Sequence, residues 1–337
     1  MTNNVFVTGS GGYVGKDFLK ELKKRKDIGI IYCLVRRSFS DTSNVKYILG
    51  DLTSPETYKK YLLKCETVYH LAGYVRHEVS ARNKLYLSNY IGTKTIIDAS
   101  VRAGIKNFVY LGSAGVFHSN ECVLCTENTP HTSKHSNYYC YTKYLAHQYI
   151  KSAIDKGLAV TTIMPVSIYS NDSQMFTELI DFLYNKKVFF KSLMDKNILL
   201  VSKENVIKAL INYDKLEPDF GGYLIVDDSI IVADLIAAIK KELSIKVRII
   251  FLPYMLLSLY LYLVSFFTFI TGRELYANIE NYNFLNGKLN VECSKINNYL
   301  SFDKGYFRKS LKKMLISFKI KQARGGYKGA EKKLSHI

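Results

Sequence analysis

The sequence is short of acidic residues, and its cysteines lack the spacing of a disulfide framework. Asp and Glu number 29 against 47 Lys and Arg, a formal net charge of +18 over 337 residues. The six cysteines are scattered, and residues 1–4 lead directly into an apolar segment without the pattern of a signal peptide. We therefore expect a cytoplasmic protein rather than a secreted one built on disulfides. Because 48% of the residues are hydrophobic, global disorder is excluded.

The positive charge is concentrated near the C-terminus. Residues 306–337, the basic tail, contain ten Lys or Arg and one acidic residue. This composition is typical of a solvated terminal helix with a frayed end, and an alternative is contact with an anionic membrane surface, which would place the protein peripherally at a membrane. The sequence has no zinc-finger, RRM or homeodomain pattern, so we expect no nucleic-acid partner. Cys122 and Cys125 form a C-x-x-C without a second pair, and we predict no metal site.

Residues 1–165 alternate between strand-like and helix-like segments. Apolar runs predict strands at residues 5–8, 30–35, 45–49, 67–71, 108–111 and 160–163. Helical spacing predicts helices at residues 13–26 and 87–103, the second ending at Gly104. This alternation indicates βαβ crossovers, so the predicted fold class is α/β, a doubly wound parallel sheet of the Rossmann type.

The pattern is looser after Pro165. Helices are predicted at residues 205–210 and 233–243 and a strand at residues 222–226. We expect residues 200–245 to return to the Rossmann domain. A smaller, mostly helical substrate-binding region would comprise residues 166–199 and 246–305.

Residues 249–272 contain no formally charged side chain. Their length permits a membrane span, but Pro253 and several hydroxyl side chains interrupt the segment, and both of its flanks are basic. The sequence favours a buried or pocket-lining helix. A helix lying on a membrane surface and a true span are the alternatives.

Glycines lie between the first predicted strand and the first predicted helix. Gly9 permits a tight turn, Gly12 lets the backbone approach a pyrophosphate, and Gly15 lets the helix pack close to the sheet. Tyr13 and Val14 complete this turn, where the helix N-terminus offers free N–H groups to phosphates. The context of strand, turn and helix indicates a dinucleotide-binding site.

The second strand ends in Arg36 and Arg37, where an acid would bind the ribose of NAD. A guanidinium cannot accept a hydrogen bond from a hydroxyl, but its charge and shape match a 2′-phosphate. The sequence therefore favours NADP(H) over NAD(H) as the cofactor.

Ser113, Tyr139 and Lys143 form a candidate catalytic set. Tyr139 and Lys143 are one helical turn apart, and Ser113 follows a predicted parallel strand at the sheet edge where ligands bind in open α/β sheets. A neighbouring ammonium is expected to lower the pKa of the Tyr139 phenol toward neutrality, which would make it a general acid or base. Ser113 would hold the substrate oxygen, and Lys143 would also hold the nicotinamide ribose. His70 is interpreted as a core histidine.

Together these motifs make the sequence resemble the extended short-chain dehydrogenases/reductases, the NAD-dependent epimerase/dehydratase family, over about residues 3–302. The glycines match T-G-x-x-G-x-x-G, and the pair Tyr139 and Lys143 matches Y-x-x-x-K. The resemblance implies further cofactor-binding residues, namely Asp51, Leu52, Leu71, Ala72, Gly73 and Pro165. It also implies that Asn89, in an N-x-x-G-T helix, supports the active-site lysine, and that the protein forms a homodimer.

Some residues depart from the nucleotide-sugar members of this family. Met164 replaces an Arg, and Ser202 and Asn205 replace a His and an Asp in a later segment. The apolar C-terminal segments are similar to those of dihydroflavonol reductases and 3β-hydroxysteroid dehydrogenases. The resemblance thus implies an NADP(H)-dependent oxidoreductase that interconverts a secondary alcohol and a ketone on a hydrophobic or lipid-linked small molecule. The alternatives are a nucleotide-sugar epimerase or dehydratase with tightly held NAD(P), and a non-catalytic NADP-binding sensor.

Overall fold

The computed structural model describes residues 3–118, 124–131, 135–271 and 278–323. Cys122 of the C-x-x-C pair and the last residues of the basic tail lie outside these ranges. The strands are β1 (Asn3–Thr8), β2 (Ile28–Val35), β3 (Val45–Leu49), β4 (Thr67–His70), β5 (Asn107–Leu111), β6 (Leu124–Cys125), β7 (Ala159–Pro165), β8 (Ser167–Tyr169), β9 (Val188–Phe190), β10 (Asn197–Ser202), β11 (Asp219–Ile225), β12 (Asp228–Ile231), β13 (Arg248–Ile250) and β14 (Asn290–Val291). The helices are α1 (Gly15–Leu22), α2 (Lys59–Leu62), α3 (Arg82–Leu85), α4 (Gly92–Ala103), α5 (Tyr138–Ile154), α6 (Gln174–Lys186), α7 (Lys203–Ile211), α8 (Val232–Leu243), α9 (Tyr254–Thr271), α10 (Ile279–Asn286) and α11 (Phe307–Ala323).

Seven strands form the central sheet in the order β11-β7-β5-β4-β1-β2-β3. Every neighbouring pair in it is parallel. Because a parallel pair requires a crossover, the intervening helices cover both faces, and the strands are apolar on both sides. On β1, for example, Val5 and Val7 lie in one buried cluster and Phe6 in the opposite one. The predicted fold class is confirmed.

The central sheet brings the carboxyl ends of β1, β4 and β5 to one edge. These strands are direct neighbours, and they end at Thr8, His70 and Leu111. The loops that follow them carry the Gly-rich turn, Gly73 and Ser113. In open parallel sheets this edge is where ligands bind.

The C-terminal half adds a second core. Helices α6, α8, α9, α10 and α11 contribute its buried side chains, and a three-stranded sheet of order β12-β10-β8 lies beside it. The basic tail begins in this core, because Phe307, Leu311, Met314 and Phe318 of α11 are buried. Residues 307–323 are therefore a packed helix rather than a free extension.

Helix α9 contradicts the expectation of a buried or pocket-lining helix for residues 249–272. Leu257 and Leu261 are buried, but most of the other large apolar side chains of α9 are exposed. Hydropathy alone could not predict this, because an evenly apolar helix has no polar face to mark its solvent side. Within the described ranges, no helix combines the length and hydropathy needed to cross a membrane.

Candidate active site

The Gly-rich turn has the conformation that its sequence predicts. Gly9 has φ of +76°, and a Cβ there would lie 2.5 Å from the backbone nitrogen of Ala72. A Cβ on Gly15 would overlap the carbonyl oxygen of Gly9. The N–H of Gly12 donates to that same oxygen (2.9 Å). Only glycine fits positions 9 and 15, because the turn passes so close to the β4 loop and to the start of α1.

The residues between these glycines fix the turn to the rest of the molecule. Val14 is buried in the core. The hydroxyl of Tyr13 hydrogen-bonds to that of Ser170 (2.5 Å), and the Lys203 ammonium lies 4.3 Å from the Tyr13 ring centre. Lys203 also forms an ion pair with Asp17 of α1 (2.9 Å). The Gly-rich turn is thus held in place by contacts from both halves of the chain.

Arg36 and Arg37 follow β2 and are both exposed. Asp51 follows β3 and accepts hydrogen bonds from the N–H and hydroxyl of Thr53, which lower its carboxyl pKa, and the Arg36 charge acts in the same direction. Leu52 is half-buried and packs against Gly92, and a Cβ added at Gly92 would collide with the Leu52 side chain. These residues form the rim of the site beyond the Gly-rich turn.

His70 is part of a buried chain of hydrogen bonds at the end of β4. Thr93 donates its hydroxyl proton to the Asn89 carbonyl (2.6 Å) and therefore accepts from His70 Nε2 (2.9 Å). His70 Nδ1 then accepts from Thr8 (2.7 Å). Burial lowers the His70 pKa to about 3, so the ring is neutral and serves as a connector between β1 and the helix that begins near Asn89.

Asn89 lies buried in a π-helical segment, Tyr86–Ile91, directly before α4. Its amide accepts from the N–H of Tyr74 (2.7 Å) and donates to the Tyr74 carbonyl (2.9 Å) and the Thr142 hydroxyl (3.1 Å). A Cβ on Gly73 would lie 3.5 Å from both the Asn89 side-chain oxygen and the Lys143 nitrogen. Asn89 therefore fixes the loop after Leu71, Ala72 and Gly73 against the helix that carries Lys143.

Ser113 and Tyr139 meet at the end of β5. The Ser113 hydroxyl caps the next turn by accepting from the Gly115 N–H (3.0 Å). Burial raises the pKa of Tyr139 to about 12, and a hydrogen bond with Ser113 acts in the opposite direction. The expected lowering of this pKa toward neutrality is wrong for the structure as it stands, because desolvation of the phenol is the larger effect.

Lys143 is buried on the same helix, α5. Its ammonium donates to the Leu111 carbonyl (3.1 Å) and to the Tyr110 hydroxyl (3.4 Å). Desolvation lowers its pKa to about 8. Lys143 thus remains a charged donor at neutral pH, although the protein environment disfavours its charge.

A ring stack that the sequence did not predict lies beside Tyr139. Phe284 of α10 stacks between His77 (centroids 4.5 Å apart) and His118 (5.2 Å), and His77 meets the Tyr139 ring edge-on (5.6 Å). Burial lowers the pKa of both histidines to about 4, so this wall is uncharged at neutral pH. The three residues are far apart in the chain, and no local pattern connects them.

Glu280 ties the start of α5 to the C-terminal half. This buried carboxylate accepts from the N–H of Tyr138 (3.0 Å) and from the guanidinium of Arg82 (2.5 Å). Asn137 caps the same helix by accepting from the Cys140 N–H (2.9 Å), and it contacts His77 (3.2 Å). Of these residues only Asn137 carried a sequence signal, as an Asn directly before a helix.

Pro165 is buried at the end of β7, beside Ile225 of β11. Ser202 and Asn205, in the segment that departs from the nucleotide-sugar enzymes, both donate to the buried Asp227 (2.8 and 2.6 Å). Asn205 also donates to the Asp303 carbonyl (2.7 Å). Their polar groups are thus used in a structural network.

This sheet, its Gly-rich turn and the meeting of Ser113 with the Tyr139 and Lys143 helix define an extended short-chain dehydrogenase/reductase. The sequence pattern of the 3-beta hydroxysteroid dehydrogenase/isomerase family matches residues 6–215, and the chain belongs to this family. The resemblance found from the sequence motifs is confirmed.

Two curated relatives agree with this family. The chain is 31% identical over 212 residues to the Homo sapiens sterol-4-alpha-carboxylate 3-dehydrogenase, decarboxylating, covering 61% of this chain and 56% of that protein. It is 28% identical over 189 residues to the Stigmatella aurantiaca 4-hydroxy-2-methyl-3-oxo-4-farnesyl-3,4-dihydroquinoline-1-oxide ketoreductase, covering 54% and 55% of the two chains. The chain therefore spans little more than half the length of these relatives.

Among solved structures, a short-chain dehydrogenase/reductase superfamily protein from Agrobacterium tumefaciens with bound NAD has a TM-score of 0.70 to this chain. The two are 15% identical, and the match covers 96% of this chain and 99% of that one. At this identity the likeness supports the fold.

Proposed function

We propose that the protein is an NADP(H)-dependent oxidoreductase that interconverts a secondary alcohol and a ketone on a hydrophobic small molecule. The observation that carries the proposal is that Ser113 follows β5 close enough to Tyr139 to lower its pKa against the larger effect of burial, with Lys143 one turn further along α5. This group lies at the sheet edge that also holds the Gly-rich turn.

The protein residues supply orientation and a proton, and the nicotinamide supplies the hydride when it is bound. With a pKa raised to about 12, Tyr139 is protonated at neutral pH and can donate to a carbonyl oxygen. Ser113, beside the phenol, would hold that oxygen in line. Lys143, charged below its pKa of about 8, would stabilise the phenolate that remains after proton donation.

The exposed Arg36 and Arg37 favour NADP(H) over NAD(H). They follow β2, on the far side of the Gly-rich turn from Tyr139, where the adenosine end of a dinucleotide lies in this fold. Their exposed guanidinium groups suit a 2′-phosphate. The cradle at Gly9 and Gly15 supports a pyrophosphate beside the start of α1.

The neutral ring stack of His77, Phe284 and His118 supports a hydrophobic substrate. It offers an uncharged wall next to the Tyr139 phenol. The names of the two relatives, a sterol dehydrogenase and a ketoreductase acting on a farnesylated dihydroquinoline, point to the same substrate class.

A nucleotide-sugar epimerase or dehydratase is less well supported. Ser202 and Asn205 are committed to Asp227, so neither side chain is free to bind a substrate diphosphate. A non-catalytic sensor is also less well supported, since it would not need the proton-donating pair of Ser113 and Tyr139.

The test is NADPH oxidation, followed by nicotinamide absorbance, with hydrophobic ketones including sterol ketones. Tyr139→Phe should lower kcat by about 100-fold or more, since a positioned proton donor contributes 10²–10⁴-fold, and should leave NADPH affinity within about twofold. Tyr141→Phe on the same helix is the control and should keep normal activity. Full activity in Tyr139→Phe would refute the role of this phenol. Tightly held nicotinamide without net NADPH consumption would indicate an epimerase instead.

A further inference from the structure

Helix α9 places polar side chains toward the protein and apolar side chains toward solvent, the reverse of an ordinary surface helix. Its side toward the protein contains Leu257, Leu261, Ser265 and Thr268, which are all buried. At 100° per residue these four positions lie within an arc of about 80°. The two most polar side chains of this buried stripe thus face the core, whereas in a water-exposed helix they would face outward.

The hydroxyls of Ser265 and Thr268 are satisfied within the protein, whereas the buried hydroxyl of the neighbouring Ser258 has no partner among the described residues. Ser265 donates to the Leu261 carbonyl (2.8 Å) and accepts from the N–H of Ile279 at the start of α10 (3.1 Å). Thr268 donates to the Ser265 carbonyl (2.8 Å). The bond between Ser265 and Ile279 joins this stripe to α10.

The opposite side of α9 is apolar and exposed. Exposed fractions run from 51% at Tyr260 to 81% at Met255, and Phe251, just before the helix, is 72% exposed. The other members of this outer face are Leu256, Leu259, Tyr262, Leu263, Phe266, Phe267, Phe269 and Ile270. They cover about half of the helix circumference over a length of about 27 Å. Monomeric soluble proteins rarely expose so large an apolar surface.

We propose that this outer face docks on an anionic lipid bilayer, with α9 lying in the membrane–water interface. Two observations favour a bilayer over a second copy of the chain. The exposed arc is convex and about 180° wide, so lipid can surround it, whereas one flat protein face would leave its flanks in water. The charges next to it are also basic: Lys246 and Arg248 are exposed directly before the apolar run, and no acidic residue occurs from Lys246 to Thr271.

Docking through α9 would place the active site close to the lipid. α9 contacts α10 and the turn Val79–Ala81. α10 carries Phe284 of the ring stack and Glu280, which binds the start of α5. This link to substrate supply rests on the proposed function, but the docking itself does not.

The docking test is co-flotation of the full chain with vesicles of phosphatidylcholine and phosphatidylglycerol. Leu263→Glu places a charge in the middle of the outer face, where the side chain is 60% exposed and the fold should tolerate it. Leu63→Glu, at a position 69% exposed on the Rossmann domain, is the matched control. The wild type and Leu63→Glu should float with the vesicles, and Leu263→Glu should bind at least tenfold more weakly, because the transfer of a leucine is lost.

Further measurements distinguish lipid docking through α9 from docking through the basic tail, from dimerisation and from a failure of the proposed reaction. Vesicle binding that is abolished by high salt but unchanged in Leu263→Glu would assign docking to the basic tail and overturn the proposal. A wild type that does not float with the vesicles would also overturn it. A wild-type dimer in sedimentation without lipid, converted to a monomer by Leu263→Glu, would assign the face to a second copy. Thermal midpoints and NADPH binding check that both variants are folded. Activity on a water-soluble ketone should be equal in all three proteins, so loss of docking is distinguishable from failure of the proposed reaction.

Discussion

Replacing Lys143 by methionine should stabilise the protein. The Lys143 side chain is buried (6% exposed), and its pKa falls from 10.5 to about 8 because burial disfavours the ammonium. A depression of this size corresponds to a cost of about 3 kcal/mol for keeping Lys143 charged in the native state at pH 7. Loss of the hydrogen bond to the Leu111 carbonyl offsets about 1 kcal/mol of the gain from removing this charge. We therefore expect Lys143→Met to raise the free energy of unfolding by about 2 kcal/mol at pH 7.

The pH dependence gives this prediction its sign. The unfolded chain keeps the Lys143 proton up to a pH near 10.5, whereas the native chain releases it near 8. Between these values the unfolded state binds more protons, so the stability of the wild type rises with pH. The advantage of Lys143→Met should thus be full below pH 8 and should shrink from pH 8 to 10.5.

Urea unfolding from pH 6.5 to 10, without added nucleotide, measures this difference. Lys23→Met, at an exposed lysine after α1, is the control and should show no comparable gain. A Lys143→Met variant that is less stable than the wild type at pH 7, or whose advantage does not change with pH, would refute the reasoning. Because the buried ammonium costs stability, its retention is understandable if it serves the reaction.

Two further changes test the proposed role of Arg36 in cofactor binding and the contact at the start of α5. Arg36→Ala should weaken NADPH binding at least tenfold and leave NADH binding within about twofold, because a charge-assisted bond to a phosphate contributes about 1.5–3 kcal/mol. Fluorescence titration measures both affinities, and Arg102→Ala is the control. Equal losses for both nucleotides would contradict the 2′-phosphate role. Glu280→Gln removes the carboxylate that Arg82 and the Tyr138 N–H share. It should lower kcat about tenfold with an unchanged KM for NADPH, since a lost buried charged contact costs about 1–3 kcal/mol. An unchanged kcat would show that this contact does not position α5.

The Rossmann sheet and its turn could be predicted because their signals are local. A strand buried on both faces reads as a continuous apolar run, as in β2, and a turn with positive φ requires glycine, as at Gly9. For most strands, the predicted first and last residues differ by only a few positions from those in the structure. The helix predicted at residues 13–26 is shorter, because α1 spans Gly15–Leu22.

Contacts between distant segments could not be predicted in the same way. The ring stack joins His77, His118 and Phe284 across some 200 residues. The pKa of Tyr139 differs from the sequence-based prediction for a related reason. Helical spacing shows that Lys143 is near, but only the folded structure shows that the phenol is buried and that the ammonium turns to Leu111. Burial, rather than the neighbouring charge, then determines the sign of the shift.

The exposed helix α9 and the helix α5 that carries Tyr139 are connected through one short element, α10. Ser265 of α9 binds the first N–H of α10, and Glu280, one residue later, binds the first N–H of α5. Phe284, one turn further, completes the stack beside Tyr139. Hydrogen-bonded and stacked contacts therefore join α9 to the ring stack and to the start of α5. If α9 lies in a membrane, its depth there would set the height of the Tyr139 phenol above the lipid, and a hydrophobic ketone could reach the phenol without crossing bulk water.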